Sequence, residues 1–115
     1  MLEPTHLIAD LTCYKGLDSK EVVEEFMRRC IDETYLTIRH FYIEEFTNEG
    51  TDFGPGITGM ALLSESNMVV HTAPERQMLN LDLFSCQTFP VGVIRNLIDR
   101  FFGPFTINRW EILKR

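Results

Sequence analysis

The sequence offers little with which to hold a metal, a disulfide or a polyanion. Its three cysteines, Cys13, Cys30 and Cys86, are odd in number and include no Cys-x-x-Cys pair. That argues against a disulfide framework or a cysteine zinc site and for a reducing compartment, the cytoplasm. The three histidines, His6, His40 and His71, are too scattered to argue a metal site. Lys and Arg number 11 against 17 Asp and Glu, a formal net charge of -6. So few cations argue against a nucleic-acid partner. No apolar run approaches membrane-spanning length, and the opening "MLEPTHLIADL" has no basic region before its short apolar run. It does not read as a signal peptide, and no membrane partner is expected. Repeats, low-complexity tracts and linkers are missing too, so the 115 residues read as a single domain, 1–115.

What is present is a regular alternation of strand and helix signals. "HLIADL" (His6–Leu11) reads as a strand, followed by a loop at "YKG". A helix follows, with Asp18 as its cap, Glu21 completing a capping box, and an apolar stripe of Val22, Val23, Phe26, Met27 and Cys30. Its end is expected near Arg29–Ile31. Thr34–Phe46 alternates and is rich in β-branched and aromatic residues, as strands are. Thr47–Gly56 is dense in turn formers and reads as a loop. Three strands are then expected at Ile57–Ser64, Asn67–Thr72 and Met78–Ser85. A second helix after Pro90 shares Ile94, Leu97, Ile98 and Phe101 on one face and stops at Gly103-Pro104. Phe105–Leu113 closes the chain as a strand. The order β-α-β-β-β-β-α-β implies an α+β fold, a two-layer α/β sandwich with a mostly antiparallel sheet and both helices on one face. The other sheet face then needs solvent-tolerant side chains or a second subunit.

The stretch "SESNMVVHTAPE" (Ser64–Glu75) puts reactive side chains between apolar runs. Ser66 as a nucleophile needs a base and a carbonyl. His71, five residues on, can serve if it faces the turn, and the carbonyl can be that of Glu65. Attack there turns an amide into an ester; removal of the Ser66 α-proton then cuts the chain and leaves a pyruvoyl group. The plainer reading is a turn serine and a strand histidine, with Cys86 as a small buried hydrophobe and Glu75 as a solvated loop carboxylate.

The run "GPGITGMALLSESNMVVHTAPERQMLNLDLFSC" resembles the central segment of the bacterial and archaeal S-adenosylmethionine decarboxylases. That family shows a Gly-hydrophobe-Ser-Gly turn, an apolar strand, Glu-Ser-His, a strand ending His-Thr-Trp-Pro-Glu, and a strand ending Asp-hydrophobe-Phe-Thr-Cys. The spacing matches without a gap from Gly56 to Cys86, and "HLIADL" is similar to the family's first strand. The resemblance implies a self-processing decarboxylase of polyamine synthesis, cut between Glu65 and Ser66, with the pyruvoyl cofactor made from Ser66. It implies that His71 is the base for elimination and that Thr58, where the family has serine, assists processing. Cys86 would reprotonate the substrate α-carbon, and Glu75 would contact the substrate. The ketone would form a Schiff base with the amino-acid substrate and act as an electron sink for loss of carbon dioxide. A homodimer with the site near the subunit interface is implied as well.

The departures fall around the substrate. Asn67 replaces a histidine, Ala73 a tryptophan, and Arg76 an aromatic. Asp52 stands where the family stacks adenine on an aromatic, with Phe53 one residue on. Asp52 and Arg76 are either solvated loop residues or the contacts of a smaller charged amino acid. Arginine and ornithine are therefore alternative substrates, and an unprocessed, catalytically silent homologue acting as a binding partner is a further reading.

Overall fold

Period-two alternation of apolar and polar residues builds most of this molecule. The computed structural model describes residues 3–115. In chain order it contains strand β1 (Thr5–Thr12), helix α1 (Lys20–Glu33) and strands β2 (Ile38–Phe46), β3 (Gly56–Leu63) and β4 (Ser66–Ala73). A short 3-10 turn (Pro74–Arg76), strand β5 (Met78–Ser85), helix α2 (Val91–Phe102) and strand β6 (Thr106–Lys114) complete it. The six strands form one sheet in the order β2-β3-β4-β5-β1-β6. Each neighbouring pair runs antiparallel, so the expected mostly antiparallel sheet is antiparallel throughout the described residues.

The core lies between the helices and one face of this sheet. Leu7, Ala9 and Leu11 of β1, Met68 and Val70 of β4, and Leu79, Leu81 and Leu83 of β5 are all buried. Phe26, Met27 and Cys30 of α1 and Ile94, Ile98 and Phe102 of α2 meet them. The Phe26 and Phe102 rings join the two helices edge to face, centroids 5.0 Å apart. Gly59 of β3 has no side chain because a Cβ there would overlap the Met27 thioether. Its absence lets α1 settle onto the sheet.

Three local expectations need correction. Ser19, not Asp18, caps α1: its Oγ accepts from the Val22 N–H at 3.2 Å. Glu21 therefore falls one position short of the capping-box site. The helix runs on to Glu33, and the expected strand start at Thr34 is instead its end. Thr34 donates its hydroxyl to Cys30 O at 2.6 Å, and Tyr35 has φ 64°. Local hydrogen bonding outweighs β propensity there. The 3-10 turn at Pro74–Arg76 was not expected.

Among the described residues no helix covers the second sheet face. Tyr42, Met60 and Leu62 on it are more than half exposed, and with His40, Asn67 and Val69 they line a shallow depression of about 580 Å³. Among the described residues no helix is long and apolar enough to cross a membrane.

Candidate active site

Leu63 pairs with Ser66, so β3 and β4 are joined by Ser64 and Glu65 alone. Glu65 has φ 59°, a left-handed conformation that costs an L-residue other than glycine roughly 1–2 kcal/mol. The Ser64 N–H donates to Thr37 O at 3.0 Å, which ties the turn to the approach of β2. Ser66 opens β4 with its side chain toward the helices, 7% exposed. Across the sheet it pairs with Ser85, the last residue of β5. Register thus brings Cys86 beside Ser66, although the two are far apart in sequence. Glu65, Ser66 and Cys86 share a cleft of about 270 Å³, which Leu36, Ser64, Ser85 and Gln87 complete.

The other expected residues lie at the opposite end of the β3–β4 hairpin. Thr58 and His71 are a cross-strand pair, and Thr58 Oγ1 is 2.9 Å from His71 Nδ1. Burial, and after it the charge of Arg76, hold His71 below the ordinary imidazole value of 6.5; a backbone hydrogen bond at Ile57 acts the other way. Beyond β4, Glu75 and Arg76 sit exposed in the 3-10 turn. Gly54 faces Glu75 at φ +70°, where a Cβ would come within 2.7 Å of the carboxylate. The left-handed angle is what favours glycine there, since the exposed Glu75 side chain could swing aside. Asn48 Nδ2 donates to Gly54 O at 2.6 Å and shapes the loop that carries exposed Asp52 and Phe53.

This division overturns the expectation that His71 faces the turn holding Ser66. Ser66, Met68, Val70 and Thr72 point to the helices, whereas Asn67, Val69 and His71 point to the open face. An odd separation along a strand always places two side chains on opposite faces. Five residues of strand also span about 17 Å. In one protomer Ser66 and His71 do not meet.

Sequence reasoning missed Ser85, Gln87 and Leu36 as walls of the cleft. The β4–β5 register, which pairs Ser66 with Ser85, is the signal that locates the first two. Leu36 comes from the α1–β2 connection, which no short-range pattern links to the turn.

The turn fits a ketone made from serine. Its hydroxyl neighbours a backbone carbonyl held in a strained conformation, Ser66 itself and Ser85 are buried, and a half-buried thiol lines the same cleft. The histidine end supplies a hydrogen-bonded imidazole held toward its neutral form, as a base requires.

Comparison with known proteins gives the family. The family profile described as S-adenosylmethionine decarboxylase matches residues 5–115. An S-adenosylmethionine decarboxylase proenzyme from Thermomicrobium roseum is 35% identical over 98 residues, covering 84% of this chain and 80% of its own. One from Archaeoglobus fulgidus is 32% identical over 88 residues, covering 75% and 73%. The crystal structure of the adenosylmethionine decarboxylase from Aquifex aeolicus VF5 superposes with a TM-score of 0.73 at 21% identity, over 99% of this chain and 89% of that one. This last likeness establishes the shared fold. With the profile running from the first strand to the final residue, the chain belongs to the S-adenosylmethionine decarboxylase family.

Proposed function

We propose that this chain is a proenzyme that cuts itself between Glu65 and Ser66 and then decarboxylates S-adenosylmethionine with a pyruvoyl group made from Ser66. The observation that carries the reading is buried Ser66, directly after left-handed Glu65 and in one cleft with Cys86. The word proenzyme in the names of its relatives supports it.

Cleavage consumes only water. Ser66 Oγ adds to the Glu65 carbonyl carbon, and the C–N bond breaks as the new C–O bond forms, giving an ester and a free amine. A base then takes the Ser66 α-proton, and Glu65 leaves as a carboxylate. The resulting enamine becomes an imine, and water releases ammonia from it to leave the ketone. Once the chain is cut, nothing holds Glu65 in its left-handed conformation.

The base comes from a second copy. His71 of the same protomer is on the wrong face and about 17 Å away along the strand. A copy set with its open face against this one brings its own Thr58 and His71 to the turn. Exposed Tyr42, Met60 and Leu62 give that copy an apolar seat. The working unit in this reading is a homodimer.

The pyruvoyl group supplies an electrophilic carbon for the substrate's α-amine and an electron sink for its carboxylate. Cys86 holds a proton at Sγ for the α-carbon that carbon dioxide leaves. At the histidine end, Glu75 accepts hydrogen bonds from substrate hydroxyls and Phe53, 66% exposed, offers its ring to a flat group. Asp52 and Arg76 border the same loop. A free proton-donating thiol suits the reducing cytoplasm.

Intact-mass spectrometry tests the reading: two fragments divided between residues 65 and 66, with Ser66→Ala uncut. The cut protein is then given S-adenosylmethionine, arginine and ornithine in turn, and released carbon dioxide is measured. A single uncut wild-type chain, or release from none of the three, overturns the proposal. Release from arginine or ornithine alone overturns its substrate.

A further inference from the structure

We infer that β2 is a second self-association surface, through which two copies join their sheets edge to edge, antiparallel, about a twofold axis at Tyr42. β2 is an outer strand of the sheet. Outer strands are usually blunted by proline, lysine or brevity, since their free N–H and C=O groups recruit other chains. β2 is nine residues long and carries neither proline nor lysine. Tyr42 is 62% exposed and Phe46 37%.

The sequence of β2 is complementary to its own reverse. Pairing antiparallel about Tyr42 sets Phe41 against Ile43 of a second copy, His40 against Glu44, Arg39 against Glu45, and Ile38 against Phe46. Every apolar residue meets an apolar one, Glu45 meets Arg39, and Glu44 meets the His40 imidazole. Cross-strand pairs of both kinds are stabilising, each by a few tenths to about 1 kcal/mol, whereas like charges opposed are not. The neighbouring registers that keep side chains on matching faces lose this. Centring on Phe41 sets Arg39 against Ile43 and Glu44 against Ile38, and centring on Ile43 sets Glu45 against Phe41. Only the Tyr42 register satisfies both charge and hydropathy. The one irregularity in the β2–β3 ladder falls at Arg39, between Ile38 and His40, so the regular part of the pairing runs from His40 to Glu44 and Arg39 meets Glu45 at its end. On the helix side, the Arg28 guanidinium covers the Phe41 ring at 4.5 Å, leaving the strand's outer edge as the free surface.

The edge contact shares Tyr42 and His40 with the open-face depression, but the residues that test it do not. Arg39 and Glu45 are exposed at the strand edge, and neither lines the open-face depression or the cleft at Ser66. Mass in solution by light scattering, read at matched concentration, is the test. Arg39→Glu and Glu45→Arg each set like charges against each other twice across the axis, and each is expected to halve the wild-type mass. The double variant R39E/E45R restores opposite charges and is expected to recover the wild-type mass. A Glu45→Arg variant that keeps the wild-type mass, or a double variant that stays with the singles, overturns the inference. Cleavage between residues 65 and 66, measured in the same samples, is expected in all four proteins and bears on the proposed function alone.

Discussion

The two ends of the β3–β4 hairpin hold the same kinds of polar residue under opposite physical conditions. At the turn, Ser66 is buried next to left-handed Glu65 and beside Cys86. At the far end, Thr58 and His71 sit in regular strand geometry on the open face, next to an exposed loop rich in charge. In the proposed function the first end supplies the nucleophile and the strained carbonyl, and the second supplies the base. The chain connects the two through a strand that holds them apart.

The largest expected effect is at the turn: Ser66→Ala abolishes cleavage, seen as one intact mass. The comparison itself breaks or stands on a mixing experiment. His71→Ala is expected to remain uncut alone, as does Ser66→Ala. Co-expressed, the two form a mixed dimer in which the Ser66 of one chain faces the His71 of the other. The His71→Ala chain is then cut, while the Ser66→Ala chain stays whole. If the mixture remains uncut, the two hairpin ends do not cooperate across copies.

Much of the fold is legible in the sequence because it is written in short-range periodicity. Leu79, Leu81 and Leu83 alternate with Asn80 and Asp82, and Leu7, Ala9 and Leu11 recur at the same period of two, so both strands are legible within a residue or two. Element order follows from such local patterns, and so does the position of Ser66 at a turn. Strand order does not: that β5 pairs with β1, and Ser66 with Ser85, is a property of the whole sheet. The misplaced histidine has a simpler origin. Ser66 and His71 are five apart, and parity alone puts them on opposite faces once β4 is recognised as a strand that includes both. The charged departures Asp52 and Arg76 are visible in sequence, but the loop approach at Gly54 depends on a backbone angle that no residue pattern specifies.

A smaller effect sharpens the strained end. Glu65→Gly removes the Cβ crowding at φ 59°, so in the uncleavable Ser66→Ala background it is expected to raise unfolding free energy by about 1 kcal/mol. With Ser66 intact the same change relaxes the proenzyme and slows cleavage by roughly five-fold, the rate equivalent of that energy. Glu65→Asn, which tolerates the left-handed region, falls between the two. Denaturant unfolding and timed mass spectra read these out. An unchanged stability for Glu65→Gly would show that the turn stores no strain.

The smallest effect concerns the histidine end and its dependence on pH. His71 is held below 6.5 first by burial and then by Arg76. A base acts when neutral, so cleavage is expected to persist to a pH below the ordinary imidazole value before its acid limb begins. The sign for stability runs the same way. A histidine whose folded pKa is depressed binds its proton more readily when unfolded. Its contribution is complete above 6.5 and is lost as pH falls through the folded value. Arg76→Ala removes one of the two lowering influences, so the acid limb of cleavage moves to higher pH. Arg76 is exposed and its field is screened by salt, so the move is small and shrinks as ionic strength rises. Burial is untouched by the substitution and keeps most of the depression in place. A limb that stays fixed at low salt would mean that Arg76 does not act on His71, and that the two share an end of the hairpin without sharing a task.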